Sequence, residues 1–164
     1  WVEFKTNFLL VGTSNPCPCG MLYEGNCKCS NIEIERYTKK LSGPILDRID
    51  LIVQIKRLNE EELVNSKKGE SSAEIRKRVI KAREIQYKRF KEIRTNSTMT
   101  QEELKKYCNI KDEDKKFLIS ALENLKISAR VYDKILKIAR TIADLEGKED
   151  LERKHLLEAI SFKK

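Results

Sequence analysis

Two close pairs of thiols stand in the stretch TSNPCPCGMLYEGNCKCS, residues 13–30. Cys17 and Cys19 make one pair, Cys27 and Cys29 the other, so four of the five cysteines fall within thirteen residues. Four thiolates converging on one ion make a tetrahedral metal site, with zinc the first candidate. Gly20 and Gly25 let the loop turn between the pairs. The spacing C-x-C-x7-C-x-C departs from the usual C-x2-C pairs, so reduced thiols without a metal stay open as the alternative. A disulfide framework fits a chain without an export signal less well. Cys108, expected on a helix, is not counted in the set.

Three other residues could meet phosphate. Asn15 closes an apolar run, and polar residues just beyond strand ends face the ligand crevice in open parallel sheets; an Asn-Pro turn with no further role is the plainer reading. Arg48 lies in GPILDRIDL between Asp47 and Asp50, which suits either a surface ion pair or a phosphate contact. Arg130 falls in the first turn of a helix capped by Ser128. A cation is disfavoured there unless it serves an anionic partner, and the helix amides would join it in holding one. The sole histidine, His155, shows no acid–base partner and reads as structural. No G-x-x-x-x-G-K-[ST] phosphate loop and no nucleophilic triad is present.

The elements that must position these residues fall into two parts. NFLLVGT, residues 7–13, and LIVQI, residues 51–55, read as buried strands. Between them Ser30 and Glu33 form a capping box for a helix carrying Ile34, Tyr37 and Leu41, stopped by Gly43-Pro44. Residues 58–70 are polar and read as a linker. Beyond them the pattern is helical. Ser71 with Glu74 opens a helix with Ile75, Val79, Ala82, Phe90 and Ile93 on one stripe. Thr100 with Glu103 opens a second, carrying Leu104 and Tyr107. Phe117, Leu118, Ala121, Leu122 and Leu125 mark a third. A fourth, capped by Ser128 and ended by Gly147, turns Val131, Ile135, Ile138, Ile142 and Leu145 inward. A last one carries Leu156, Leu157, Ala159 and Ile160. The expected fold is mainly α: residues 1–57 as the end of an α/β core with a cysteine-rich loop, 58–70 as linker, and 71–164 as a helical bundle.

The 164 residues carry a net charge of +8 with 37% charged side chains. Nine Lys/Arg against three Glu in residues 71–94 supply a net +6 of it. Such a stripe is either a solvated face or a nucleic-acid contact. No segment reaches the ~18 apolar residues of a membrane span, and no signal peptide is evident. The chain begins at Trp1 rather than Met, so a piece of a longer protein is expected.

NPCPCG with its following C-x-C, LSGPILDRIDL, GESSAEIRKRV and ISARVYDKILKIARTIADLEG together resemble the magnesium-chelatase-like AAA+ ATPases of the ComM type. The resemblance runs from about residue 7 to 162 and matches the C-terminal portion of such a protein, an AAA+ helical lid after the end of the α/β core. It implies cytoplasmic, ring-forming hexamers that translocate DNA in natural transformation and recombination. It places Asn15 at sensor 1, which orients the attacking water. It places Arg48 at the arginine finger, acting on a neighbouring subunit's nucleotide, and Arg130 at sensor 2, reaching the nucleotide from the lid. ATP and Mg²⁺ are implied for the full-length protein, whose phosphate loop is not in this chain; the chain by itself is expected not to hydrolyse ATP. Two other readings stay open: the motor subunit of a metal chelatase, and a stand-alone zinc-containing nucleic-acid-binding module.

Overall fold

A computed structural model describes residues 1–4, 6, 8–40, 43–46, 48–55, 69–125 and 130–163, with the backbone alone at 43, 44 and 130. They form two compact units, Trp1–Arg48 and Ile49–Lys164.

The second unit is built on one long amphipathic helix. Apolar residues recur at positions 131, 135, 138 and 142, so that one face of α6 (Arg130–Glu146) is continuously hydrophobic. Four other elements pack on that helix: α3 (Ser72–Phe90), a 3₁₀ turn (Asn96–Thr98), α4 (Gln101–Tyr107) and α7 (Arg153–Ser161). With α5 (Asp112–Asn124) they enclose a core containing Phe90, Leu104, Leu118, Val131, Ile135, Ala139 and Leu156. Each fully buried Leu or Ile in such a core contributes about 1.5–3 kcal/mol. Phe90 meets Tyr107 edge to face, ring centroids 5.9 Å apart, which ties the end of α3 to α4.

Local signals set the helix ends. The Ser71 hydroxyl accepts from the Glu74 N–H while the Glu74 carboxylate accepts from the Ser71 N–H, and Thr100 and Glu103 do the same for α4. Gly147, at φ +71°, ends α6, and the Lys148 N–H turns back to the Ala143 carbonyl at 2.8 Å. Only a residue tolerant of the left-handed region makes that reversal without strain. α7 uses a less common box: the Glu152 side chain accepts from the His155 N–H, and His155 Nδ1 accepts from the Glu152 N–H at 2.9 Å. His155 is therefore structural, as expected, and fully buried. It does have a polar partner, Glu146, 3.2 Å from Nε2; because Nδ1 accepts, the ring proton sits on Nε2.

The first unit has little core of its own. Ser30 and Glu33 cap α1 (Asn31–Lys40) through the expected reciprocal bonds. Ile34 and Tyr37 are half-buried, and a short α2 (Gly43–Leu46) follows.

Three expectations need correction. No described residue of 7–13 or 51–55 is in a strand. Phe8, Leu9, Leu10 and Val11 are exposed, and so are Leu51, Val53 and Ile55. A β-strand requires a neighbour to take its N–H and C=O groups, and among the described residues none pairs with either run; Ile52 instead donates to the Phe162 carbonyl at 2.9 Å. The stripe assigned to α3 is only half a core face: Ala82 and Phe90 are buried, while Ile75, Val79 and Ile93 are exposed. The helix runs on beyond the elements it packs against, so its first ten residues all face solvent. Leu157 and Leu145, assigned inward, are likewise about half exposed. The expected cap Ser128, and Leu41 of the first apolar stripe, lie outside the described residues.

Candidate functional site

The four clustered thiols meet in space. Cys17, Cys19, Cys27 and Cys29 bring their sulfur atoms within 4.8 Å of one another. Cys17 Sγ is 3.4 Å from Cys19 Sγ and 3.7 Å from Cys27 Sγ, and Cys19 Sγ is 3.6 Å from Cys27 Sγ. A disulfide needs about 2.05 Å, so these are not bonded pairs. A tetrahedron with metal–sulfur bonds of about 2.3 Å has edges of about 3.8 Å. The three separations among Cys17, Cys19 and Cys27 lie close to that edge, and Cys29 Sγ is within 4.8 Å of each of them, so the donor set suits one tetrahedral ion.

Backbone geometry makes this possible in a short loop. The Gly20 N–H donates to the Cys17 carbonyl at 3.0 Å, closing a tight turn, and Gly20 and Gly25 take φ of +80° and +75°. Cys17 is fully buried while Cys19 is exposed. The N–H groups of Met21 and Lys28, with the Cys29 and Cys17 thiols, push Cys19 down to about 6. The Cys19 N–H works to lower Cys29, but desolvation and the surrounding thiols outweigh it and push that group up to about 12. The metal-free cluster thus carries unequal thiols, one readily ionised and its neighbour not. A dication supplies the charge that lets all four ionise together.

Asn15 is exposed and lies beside this loop: its side-chain Cγ is 3.8 Å from where a Cβ on Gly20 would stand. Arg48 closes the turn after α2, its N–H bonded to the Ile45 carbonyl at 2.9 Å, with its side chain exposed. Arg130 is the first described residue of α6; its side chain and residues 126–129 before it lie outside the described residues. Asn15 and Arg48 belong to the first unit and Arg130 to the second.

The basic run 71–94 divides. Arg78 pairs with Glu70 at 2.7 Å, Arg94 with Glu103, and Arg89 with Asp144. Lys77, Lys81 and Lys88 are exposed on α3 and pair with no described residue.

A buried polar cluster escaped the sequence reading. Asp144, Arg140, Asn96 and Gln86 are each at most 3% exposed. Asp144 receives Asn96 Nδ2 at 2.8 Å, Arg89 Nη1 at 2.8 Å and Arg140 Nε at 3.1 Å. One signal was available: Arg140 and Asp144 sit at i, i+4 amid the apolar face of α6, where charged residues persist only when paired.

Comparison with known families covers nearly all of the chain. Residues 69–163 match the family described as magnesium chelatase, subunit ChlI C-terminal, and residues 1–63 match magnesium chelatase, subunit ChlI. Competence protein ComM of Haemophilus influenzae is 39% identical over 163 residues. The uncharacterized protein YifB of Salmonella typhimurium is 40% identical over 164, and an uncharacterized protein of Mycobacterium tuberculosis H37Rv is 34% identical over 162. These alignments cover 98–99% of this chain and 32% of each relative, so the chain spans about a third of their length. No described helix is long and apolar enough to cross a membrane. The chain belongs to the magnesium chelatase subunit ChlI family and is of the ComM type.

Proposed function

We propose that this chain is the C-terminal part of a ring-forming AAA+ ATPase that moves along DNA in transformation and recombination. The observation that carries this reading is the end-to-end likeness to a competence protein, with Asn15, Arg48 and Arg130 each standing in the motif where such motors keep a phosphate-facing residue. Phosphoryl transfer asks for positioning and charge stabilisation rather than covalent chemistry. Asn15 orients the attacking water. Arg48 reaches the nucleotide of a neighbouring subunit and offsets charge that builds in the transition state. Arg130 does so from the lid of the subunit that binds the nucleotide. ATP with Mg²⁺ supplies the transferred phosphoryl group in the parent protein.

The four thiols hold a structural zinc. With so little apolar burial in the first unit, a metal is what fixes the loop beside which Asn15 lies. A second reading, the motor of a metal chelatase, draws on the family description. It predicts that turnover responds to a porphyrin-metallating partner and not to DNA.

The test is made in the full-length parent. Arg48→Ala and Arg130→Ala are each expected to slow hydrolysis roughly 100-fold or more. Mixing with a subunit that has a disabled phosphate loop but an intact Arg48 restores activity to Arg48→Ala and not to Arg130→Ala. Equal rescue of both, or normal hydrolysis by Arg48→Ala alone, overturns the assignment in trans.

A further inference from the structure

Helix α3 carries an outward face that neither the bundle nor the nucleotide chemistry uses. At 100° per residue, Lys77, Lys81 and Lys88 fall within about 40° of one another around the axis and span about 16 Å along it. Ala82, Gln86 and Phe90 occupy the opposite, buried side. The three lysines are exposed and pair with no described residue, whereas Arg78, Arg89 and Arg94 of the same run are engaged within the protein. With exposed Glu84 in the same arc, this row of α3 carries three cations against one carboxylate, a net charge of +2. Beside the lysine row, Ile80 and Tyr87 are 50% and 54% exposed. They line a shallow groove with Lys88 and with Ile93, which is 98% exposed. Glu84 interrupts the row and lines the groove with Glu92, facing Arg83, Lys88 and Arg94 there.

We propose that this face binds single-stranded nucleic acid, the lysines tracking the phosphates and Tyr87 stacking a base over the apolar groove. Charge complementarity selects a polyanion. The aromatic and aliphatic side chains between the lysines select a strand whose bases are free, because a duplex keeps its bases stacked and offers this groove no apolar face. Lysine rather than arginine, and contacts limited to phosphate and ring face, imply binding tolerant of sequence and strongly dependent on salt. The choice of nucleic acid as the polyanion rests on the proposed DNA-acting parent; the surface itself does not.

The test uses the whole 164-residue chain and a fluorescein-labelled 30-nucleotide single strand, read by anisotropy from 50 to 300 mM KCl. Replacing Lys77, Lys81 and Lys88 together by Glu is expected to weaken binding more than tenfold at low salt. The same change should flatten the log K against log salt slope by about 2, near 0.7 per lost phosphate contact. Reversing Lys105, Lys111 and Lys116, exposed on and between α4 and α5, leaves both nearly unchanged. Tyr87→Ala is expected to weaken binding roughly 5- to 100-fold with the slope unaltered. Glu84→Lys, which removes no hydrogen bond or ion pair among the described residues, tightens binding and steepens the slope. Equal losses in the two lysine triples, tighter binding of the matching duplex than of the single strand, or no binding by the unaltered chain overturns the proposal. So does loss of affinity only for vesicles containing 30% phosphatidylserine. None of these outcomes bears on the hydrolysis test above, whose failure would leave a measured strand-binding face in place.

Discussion

Arg140 Nε donates to Asp144 Oδ1 at 3.1 Å, one turn apart on α6, and both side chains are almost wholly buried. Arg89 of α3 forks onto the same carboxylate, Asn96 of the 3₁₀ turn donates to it, and Gln86 adds a longer bond of 3.4 Å. One acidic group thus joins three elements of the bundle. It faces two guanidinium groups, and the carbonyls of Glu149 and Lys148 accept from Nη1 and Nη2 of Arg140. Burial pulls Arg140 below its ordinary value, with Asp144 acting against that shift. The guanidinium stays charged because its partners are in place.

Asp144→Ala leaves two buried cations without their counterion, and breaking a buried pair from one side costs about 3–5 kcal/mol. The expected result is a large fall in the urea midpoint, or failure to fold. Asp144→Asn, which keeps an acceptor oxygen, loses less. Urea unfolding followed by far-ultraviolet circular dichroism measures both; a change under about 1 kcal/mol for Asp144→Ala would show that the cluster does not hold the bundle together.

The parts legible in the sequence are those whose cause is local. The boxes at Ser30/Glu33, Ser71/Glu74 and Thr100/Glu103 are i, i+3 relationships, and the apolar face of α6 repeats within one helix. The thiols were visible because both pairs fall in one loop. The Asp144 cluster was not, because Arg89 lies 55 residues from its partner and looked like one more cation on a basic helix. The strands expected at 7–13 and 51–55 are absent among the described residues for a related reason. Apolar, branched residues say that a segment can pair, whereas pairing depends on a neighbour that the run itself does not encode. Ile75 and Val79 have helical spacing toward a core, but spacing does not reveal where the packed part of a helix begins.

Acid should loosen the link between α3 and α4. The Arg94 guanidinium, and then the Thr100 N–H, hold the Glu103 carboxyl below its ordinary value. A carboxylate depressed in the folded state adds stability above its unfolded pKa, about 4.3, and loses it as pH falls through the lower folded value. Glu74 and Glu146 are depressed as well, by the Ser71 cap and by Lys154 with His155. Thermal midpoints are therefore expected to fall as pH drops below about 4.3. Glu103→Gln should begin lower at pH 7 and fall less steeply. A parallel pair of curves would remove Glu103 from the account.

Cys108 is expected to act as a clock for unfolding of the second unit. It is 4% exposed, with its sulfur 3.8 Å from the Leu136 carbonyl oxygen and 3.9 Å from Met99 Sδ. Burial pushes the thiol up to about 11. At pH 8 it is neutral and shielded, so alkylation waits for opening of the core. Mass spectrometry of peptides after timed iodoacetamide treatment should find Cys108 labelled last, with a rate that rises with urea as the bundle unfolds. Rapid labelling in native buffer would contradict the packing.

Removal of metal tests the thiol cluster most directly. Zinc is expected at one ion per chain after purification without chelator, measured by elemental mass spectrometry. Cobalt substituted for it should give the visible absorption of a tetrahedral thiolate site, since four sulfur atoms within 4.8 Å of one another can fill the four positions of one ion. Serine in place of Cys17 or Cys27 should abolish the cobalt spectrum, whereas serine in place of Cys108 leaves it unchanged. Chelation should expose the loop from Asn15 to Cys29 to protease, because few buried apolar side chains are there to take over from the metal. The bundle around α6 draws its stability from its own core, so its far-ultraviolet signal and its urea midpoint should survive the same treatment. A metal content near zero, with all four thiols freely titratable in the native chain, would remove the centre from the account. Loss of the bundle on chelation would instead show that the metal stabilises more than its own loop.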